Sequence, residues 1–136
     1  MMTSYFAGKL GLARRQLRSA KNNMAQKDIE TAANRAFLAA ENAAAAAIVR
    51  SGERVAPVHS QIRTQFEDLC DQGVIPQRFK GLLARSYRFR LRGDYGRRIH
   101  RGQPIPDLTP TMVWEIIDSV GDLIDVVTKM GRKRRA

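Results

Sequence analysis

The stretch Asp28-Ile29-Glu30-Thr31-Ala32-Ala33-Asn34-Arg35-Ala36-Phe37-Leu38-Ala39-Ala40-Glu41-Asn42-Ala43-Ala44-Ala45-Ala46-Ala47-Ile48-Val49-Arg50 decides how this chain folds. Alanine loses no side-chain rotamer freedom in a helix, so the segment has strong helix propensity. Asp28 is a good N-cap and Gly52 a good C-terminal stop. Ala32, Ala33, Ala36, Phe37, Ala40, Ala44 and Ile48 fall on one buried face. So many small side chains let neighbours approach closely on several sides, which predicts a central helix. Its longest apolar run is short and mostly alanine, far from the roughly 20 apolar residues of a membrane span.

Four further helices are predicted around it. Phe6, Leu10, Ala13, Leu17, Ala20 and Met24 recur at spacings of three and four, giving one stripe on a helix from Ser4 to Met24. After Pro57, Ile62, Phe66, Leu69 and Cys70 face inward on a helix from His59 to Gln72, stopped by Gly73. A fourth helix is expected from Pro76, as a first-turn proline, to Arg92. A loop then carries Gly93, Gly96, Gly102, Pro104 and Pro106. Thr109-Pro110 opens the fifth helix, which carries Val113, Ile116, Ile117, Val120, Ile124 and Val127 as far as Met130, with Gly131 as its end. Short connections favour antiparallel neighbours. The expectation is an all-α, antiparallel up-and-down bundle of about five helices, one domain over residues 1–131 with a frayed basic tail at 132–136.

Composition narrows the function. Hydrophobic residues at 43% suit a folded core, and 24 Lys+Arg against 13 Asp+Glu give a net charge of +11. That balance draws in polyanions: nucleic acid, nucleotides or an acidic partner. With Cys70 alone there is no internal disulfide, and the N-terminus has no secretion-signal pattern, so the expected location is cytoplasmic. Two distant histidines make no metal-ligand pattern, and no phosphate-cradling glycine loop follows a strand. Neither a metal nor a cofactor is expected. Glu115, Asp118, Asp122 and Asp125 form an acidic stripe on the fifth helix, a solvated face or a docking surface for a basic partner, with Trp114 beside it.

The positive field concentrates between Arg78 and Arg101, where nine basic residues face a single acid, Asp94. At about 100° per residue, Arg90 falls only about 20° from Phe79, in line with the apolar stripe, and Arg88 points to the opposite side. An inward guanidinium needs a partner, a cleft or a subunit interface. Glu41 lies about 40° from Phe37 on the central helix, which makes an Arg90–Glu41 pair the expected solution.

The same residues carry a resemblance. Arg90-Leu91-Arg92-Gly93-Asp94-Tyr95 resembles the Arg-x-x-Ala-Asp-Tyr signature of small stand-alone HEPN proteins (higher eukaryotes and prokaryotes nucleotide-binding). Thr31 to Ala40 resembles their long second helix. His59 follows the connection where the family often has a histidine. Gly73-Val74-Ile75-Pro76 resembles the turn before the arginine-bearing helix. The resemblance implies a bundle that dimerises, often paired with a minimal nucleotidyltransferase as a toxin–antitoxin module. In ribonuclease members an Arg-x(4–6)-His motif cleaves RNA without metal. Here the histidine positions hold Tyr95, Gly96 and Arg97. A tyrosine, with a pKa of about 10, is a poor base at neutral pH. Two functions therefore stay open. In one, Arg90, Asp94 and Tyr95 act on RNA, with Arg92, Arg97, Arg98, His100, Arg101, His59 and Glu41 binding the ligand. In the other, the same basic surface serves a non-catalytic adaptor for RNA, nucleotide or a nucleotidyltransferase.

Overall fold

A computed structural model describes residues 2–133. Five α-helices lie among them: α1 (Met2–Ala25), α2 (Ile29–Arg50), α3 (His59–Asp71), α4 (Leu82–Tyr95) and α5 (Pro110–Lys133). The fold is an all-α helical bundle. The alanine-rich α2 is its axis and packs against each of the other four helices. Ala32, Ala36, Ala39, Ala40, Ala43, Ala44, Ala46 and Ala47 are all fully buried on it. An alanine face keeps neighbouring helix axes close. The larger side chains that fill the remaining space come from around it: Phe66 and Leu69 of α3, and Val113, Ile116, Ile117, Val120, Leu123 and Val127 of α5. Burying each such side chain contributes about 1.5–3 kcal/mol.

The caps form as the sequence implies. The Asp28 carboxylate accepts the Thr31 N–H at 3.2 Å, and the Thr109 hydroxyl accepts the Met112 N–H at 3.2 Å. Three boundaries differ from expectation. Pro76 does not open α4; it starts a separate 3-10 turn, Gln77–Phe79, and α4 begins only after Gly81. That turn carries Phe79 into the core next to Ile75, both buried. At its other end α4 runs through Gly93 to Tyr95. Gly96 stops it at φ +62°, with the Gly96 N–H on the Arg92 carbonyl at 3.1 Å and the Arg97 N–H on the Leu91 carbonyl at 3.2 Å. Left-handed backbone at such a stop favours glycine. Finally, α5 continues past Gly131 to Lys133, because a glycine with helical φ/ψ does not by itself end a helix. Of the basic tail, residues 134–136 lie outside the described residues.

The glycine-rich loop also contains a small antiparallel hairpin that the sequence reading did not include. Strands β1 (Ile99–His100) and β2 (Gln103–Pro104) pair, with Arg101 and Gly102 at its tip, both at positive φ. The Arg88 side chain donates to the Pro104 carbonyl. It does not point away into solvent as the helical wheel suggested, and its Nε is buried. This anchor folds the hairpin back along α4.

Candidate functional site

Asn34, Phe37 and Glu41 stack on one face of α2 at the 3.6-residue period, with Phe37 buried between two partly buried polar residues. Each meets a different element. Asn34 reaches the end of α4, Phe37 packs between α3 and α4, and Glu41 reaches the start of α3.

At the α4 end, the Asp94 carboxylate is the hub. One of its oxygens, Oδ2, accepts from Asn34 Nδ2 at 2.7 Å and from Arg90 Nε at 3.3 Å. Arg35 in turn donates to the Asn34 side-chain oxygen Oδ1 at 2.7 Å. The Arg90 guanidinium lies 5.2 Å from the centre of the Phe37 ring. Its side chain is only 20% exposed, and that of Asp94 25%. Arg90 is thus sheltered, held by a carboxylate one turn along its own helix and by an aromatic face, a contact worth about 0.5–2 kcal/mol. The expected Arg90–Glu41 pair does not form. Gly93 explains the close approach. A Cβ there would lie 3.2 Å from the Glu30 carbonyl oxygen, so a small residue brings α4 against the first turn of α2.

Glu41 is engaged elsewhere. Its Oε2 lies 2.5 Å from Nδ1 of His59, the first residue of α3. The Glu41 side chain is 17% exposed and that of His59 52%, so the ring is fixed on one nitrogen and open on the other side. His59 sits edge-on to Phe37, with ring centres 5.6 Å apart, and 6.0 Å from Tyr87 of α4. The returning hairpin places His100 edge-on to the same Tyr87 at 5.7 Å. Around these rings is a pocket of ≈ 240 Å³ lined by Phe37, Glu41, Val58, His59, Ser60, Arg63, Leu83, Tyr87, His100 and Arg101.

Charge in the pocket is uneven. Burial, and then the positive charges of Arg101, Arg97, Arg88 and Arg63, hold the His100 pKa below the ordinary histidine value. The imidazole is neutral at pH 7. Glu41 supplies the one carboxylate among the lining residues, and His59 occupies it.

The remaining candidates fall outside the pocket. Arg92 is bound to the Asp107 carboxylate before α5, and its own side chain is 18% exposed, so it ties a loop down. Arg97 and Arg98 are exposed on the approach to the hairpin. Tyr95 is 62% exposed at the end of α4 and does not line the pocket. Away from the site, burial and the neighbouring Asp71 and Glu67 charges push the Cys70 thiol up to about 11, leaving it protonated and inert. Arg85 bonds Glu115 of the acidic stripe at 3.0 Å. Among the described residues no group of three or more His, Cys, Asp or Glu side chains is placed to hold a metal ion, and no helix is long and apolar enough to cross a membrane.

A family model for the HEPN domain matches residues 10–130. The chain belongs to the HEPN domain family. The match spans all of α2, α3 and α4, and with them every residue of the pocket and of the Asp94 hub. Membership associates the fold with nucleotide- and RNA-related function in general. No curated protein matches the chain. Within this HEPN domain, Tyr87, Arg63, Phe37 and Asn34 are the site residues that sequence reasoning missed. Tyr87 and Arg63 carry no motif. Asn34 and Phe37 sit three apart on α2 with Glu41 four further on, a polar–aromatic–polar stripe inside an alanine helix that is the available signal.

Proposed function

We propose that this HEPN domain binds the phosphate of RNA or a nucleotide in the pocket between Phe37 and the β1–β2 hairpin, with Arg90 at its border, as one component of a toxin–antitoxin-like module. One observation carries this reading. Two arginines, Arg63 and Arg101, and two histidines, His59 and His100, line a single pocket whose only carboxylate is already bonded to His59. Such a pocket is electropositive and rich in donors, which suits a phosphate oxygen. At ≈ 240 Å³ it is smaller than the roughly 300–1,000 Å³ of enclosed small-ligand sites. It fits one phosphodiester with its sugar, a segment of a strand laid across the surface. The exposed Arg97 and Arg98 extend the positive field along the strand's approach. A homodimer, a cognate minimal nucleotidyltransferase as partner and a cytoplasmic setting complete the proposal, supported by family membership.

The adaptor alternative uses the same pocket without chemistry. It is favoured by Arg90 being committed to Asp94 and by the missing histidine at the family's motif spacing.

Binding is tested by fluorescence anisotropy with a labelled 12-nucleotide RNA at several salt concentrations. Affinity should fall with salt, and Arg63→Ala and Arg101→Ala should each weaken binding and reduce the log–log salt slope by about 0.7. The Lys129→Ala control, on the exposed face of α5, should match the parent. RNA binding that ignores both arginine substitutions, or no saturable binding at all, contradicts the proposal.

A further inference from the structure

We infer that His59 and His100 form an acid–base pair across this pocket that cleaves an RNA phosphodiester by attack of its own 2′-hydroxyl, with Glu41 as the residue that positions His59. The inference rests on the pocket being the RNA site proposed above. It moves the chemistry away from the arginine-bearing end of α4, where Arg90 and Asp94 satisfy one another and Tyr95 stands in solvent.

The placement comes from two unrelated parts of the chain. His59 opens α3 and His100 ends β1, yet both rings pack on Tyr87, at 6.0 Å and 5.7 Å. Tyr87 precedes Arg90 by one helical turn. The hairpin therefore returns a histidine to α4 from ten positions beyond Arg90, a spacing that no local motif would include. The two rings differ in their surroundings. The Glu41 carboxylate lies 2.5 Å from Nδ1 of His59 and fixes the orientation of that ring. Its opposite nitrogen is left to give a proton. His100 is ringed by arginines and is neutral, the state in which an imidazole accepts a proton. One imidazole held by a carboxylate and a second among guanidinium groups stand on one pocket, the kind of unequal pair that acid–base chemistry uses.

The step balances. Neutral His100 takes the proton of the ribose 2′-hydroxyl. The O2′ forms a bond to phosphorus as the P–O5′ bond breaks, and O5′ takes the proton from the His59 imidazolium. The products are a 2′,3′-cyclic phosphate and a 5′-hydroxyl. The histidines end in exchanged protonation states, and proton exchange with water restores them. Arg63 of α3 and Arg101 of the hairpin, both lining the pocket, stabilise the extra negative charge on the phosphorane oxygens.

The test uses the purified full chain and a 5′-labelled 20-nucleotide RNA, measuring binding and cleavage in parallel. The parent should yield 2′,3′-cyclic phosphate ends and should not cut the same strand made with 2′-deoxyribose. His59→Ala and His100→Ala should each slow cleavage at least about 100-fold, far more than either weakens binding. Glu41→Gln should slow it less and move the alkaline limb of the pH–rate profile, which reports the proton donor, to lower pH, a shift that a purely structural loss would not produce. The charged and titratable groups that set this profile around His59 are Glu41 of α2, Arg63 of α3, Tyr87 of α4, and His100 and Arg101 of the hairpin. Thermal melts monitored by circular dichroism establish that each variant is folded. Parent protein that binds RNA without cutting it, or histidine variants that cut at the parental rate, overturns the inference and leaves the binding site standing. Absence of binding overturns both.

Discussion

Asn34 of α2 and Arg90 of α4 share one atom: both donate to Oδ2 of Asp94, at 2.7 Å and 3.3 Å. The carboxylate therefore joins the two helices and sets the guanidinium over Phe37. Asp94→Ala and Asn34→Ala should each lower stability by about 1 kcal/mol, and the double variant should cost less than the sum by about 0.5–1.5 kcal/mol. Urea denaturation of the four proteins measures the coupling. Strict additivity would mean that the shared oxygen links nothing.

Gly93 controls how closely the same helices meet. Its virtual Cβ lies 3.2 Å from the Glu30 carbonyl oxygen and 3.3 Å from the Glu30 Cα, both backbone atoms that cannot swing aside. Gly93→Leu should therefore separate the start of α2 from the end of α4. A loss of about 2 kcal/mol or more is expected, seen as a lower Tm, together with loss of the Asn34–Asp94 bond. Gly93→Ala should stay within about 1 kcal/mol of the parent, because the gain in helix propensity offsets a shift of a few tenths of an ångström.

Phe37 is 2% exposed and contacts His59, Tyr87 and the Arg90 guanidinium. Phe37→Ala should cost about 3–5 kcal/mol, the usual range for emptying a buried phenylalanine site. The pocket should lose its floor as well, so RNA binding should weaken even where the chain is still folded, measured by anisotropy below the melting range. A stable variant with unchanged RNA affinity would separate Phe37 from the site.

His100 has a folded-state pKa held below its ordinary value of 6.5, by burial first and then by Arg101, Arg97, Arg88 and Arg63. The sign follows from proton counting. Between the depressed folded pKa and the unfolded value near 6.5, the unfolded chain binds more protons at this position, so stability rises with pH across that window and falls on acidification. Ring NMR signals of His100 should titrate with a midpoint under 6.5, and His100→Gln should flatten the acid side of the stability curve. A midpoint above 6.5 would place the ring away from the arginines.

Much of the bundle is readable in the sequence because periodicity survives without knowledge of neighbours. The alanine face of α2, the Phe6–Met24 stripe of α1 and the valine–isoleucine stripe of α5 each identify their own buried side. The sheltering of Arg90 follows from its angular position in the same way. Its partner does not. A wheel gives direction on one helix and not the reach to a partner: Glu41 met it, and Asp94 is the partner in the structure because α4 continues through Gly93, which as a sequence symbol resembles a loop. The pocket was least legible. His100 reaches Tyr87 through a two-residue strand pairing and the Arg88–Pro104 anchor, and neither leaves a periodic signal. Tyr87 and Arg63 acquire meaning only when α3, α4 and the hairpin are together.

The chain has two histidines, so their ring signals can be assigned with His59→Ala and His100→Ala alone. Following both rings by NMR while a short oligoribonucleotide is added at low salt tests the site most directly. The account predicts that both signals shift together along one saturable curve and return when salt is raised. RNA that binds while both rings keep their free positions would contradict it.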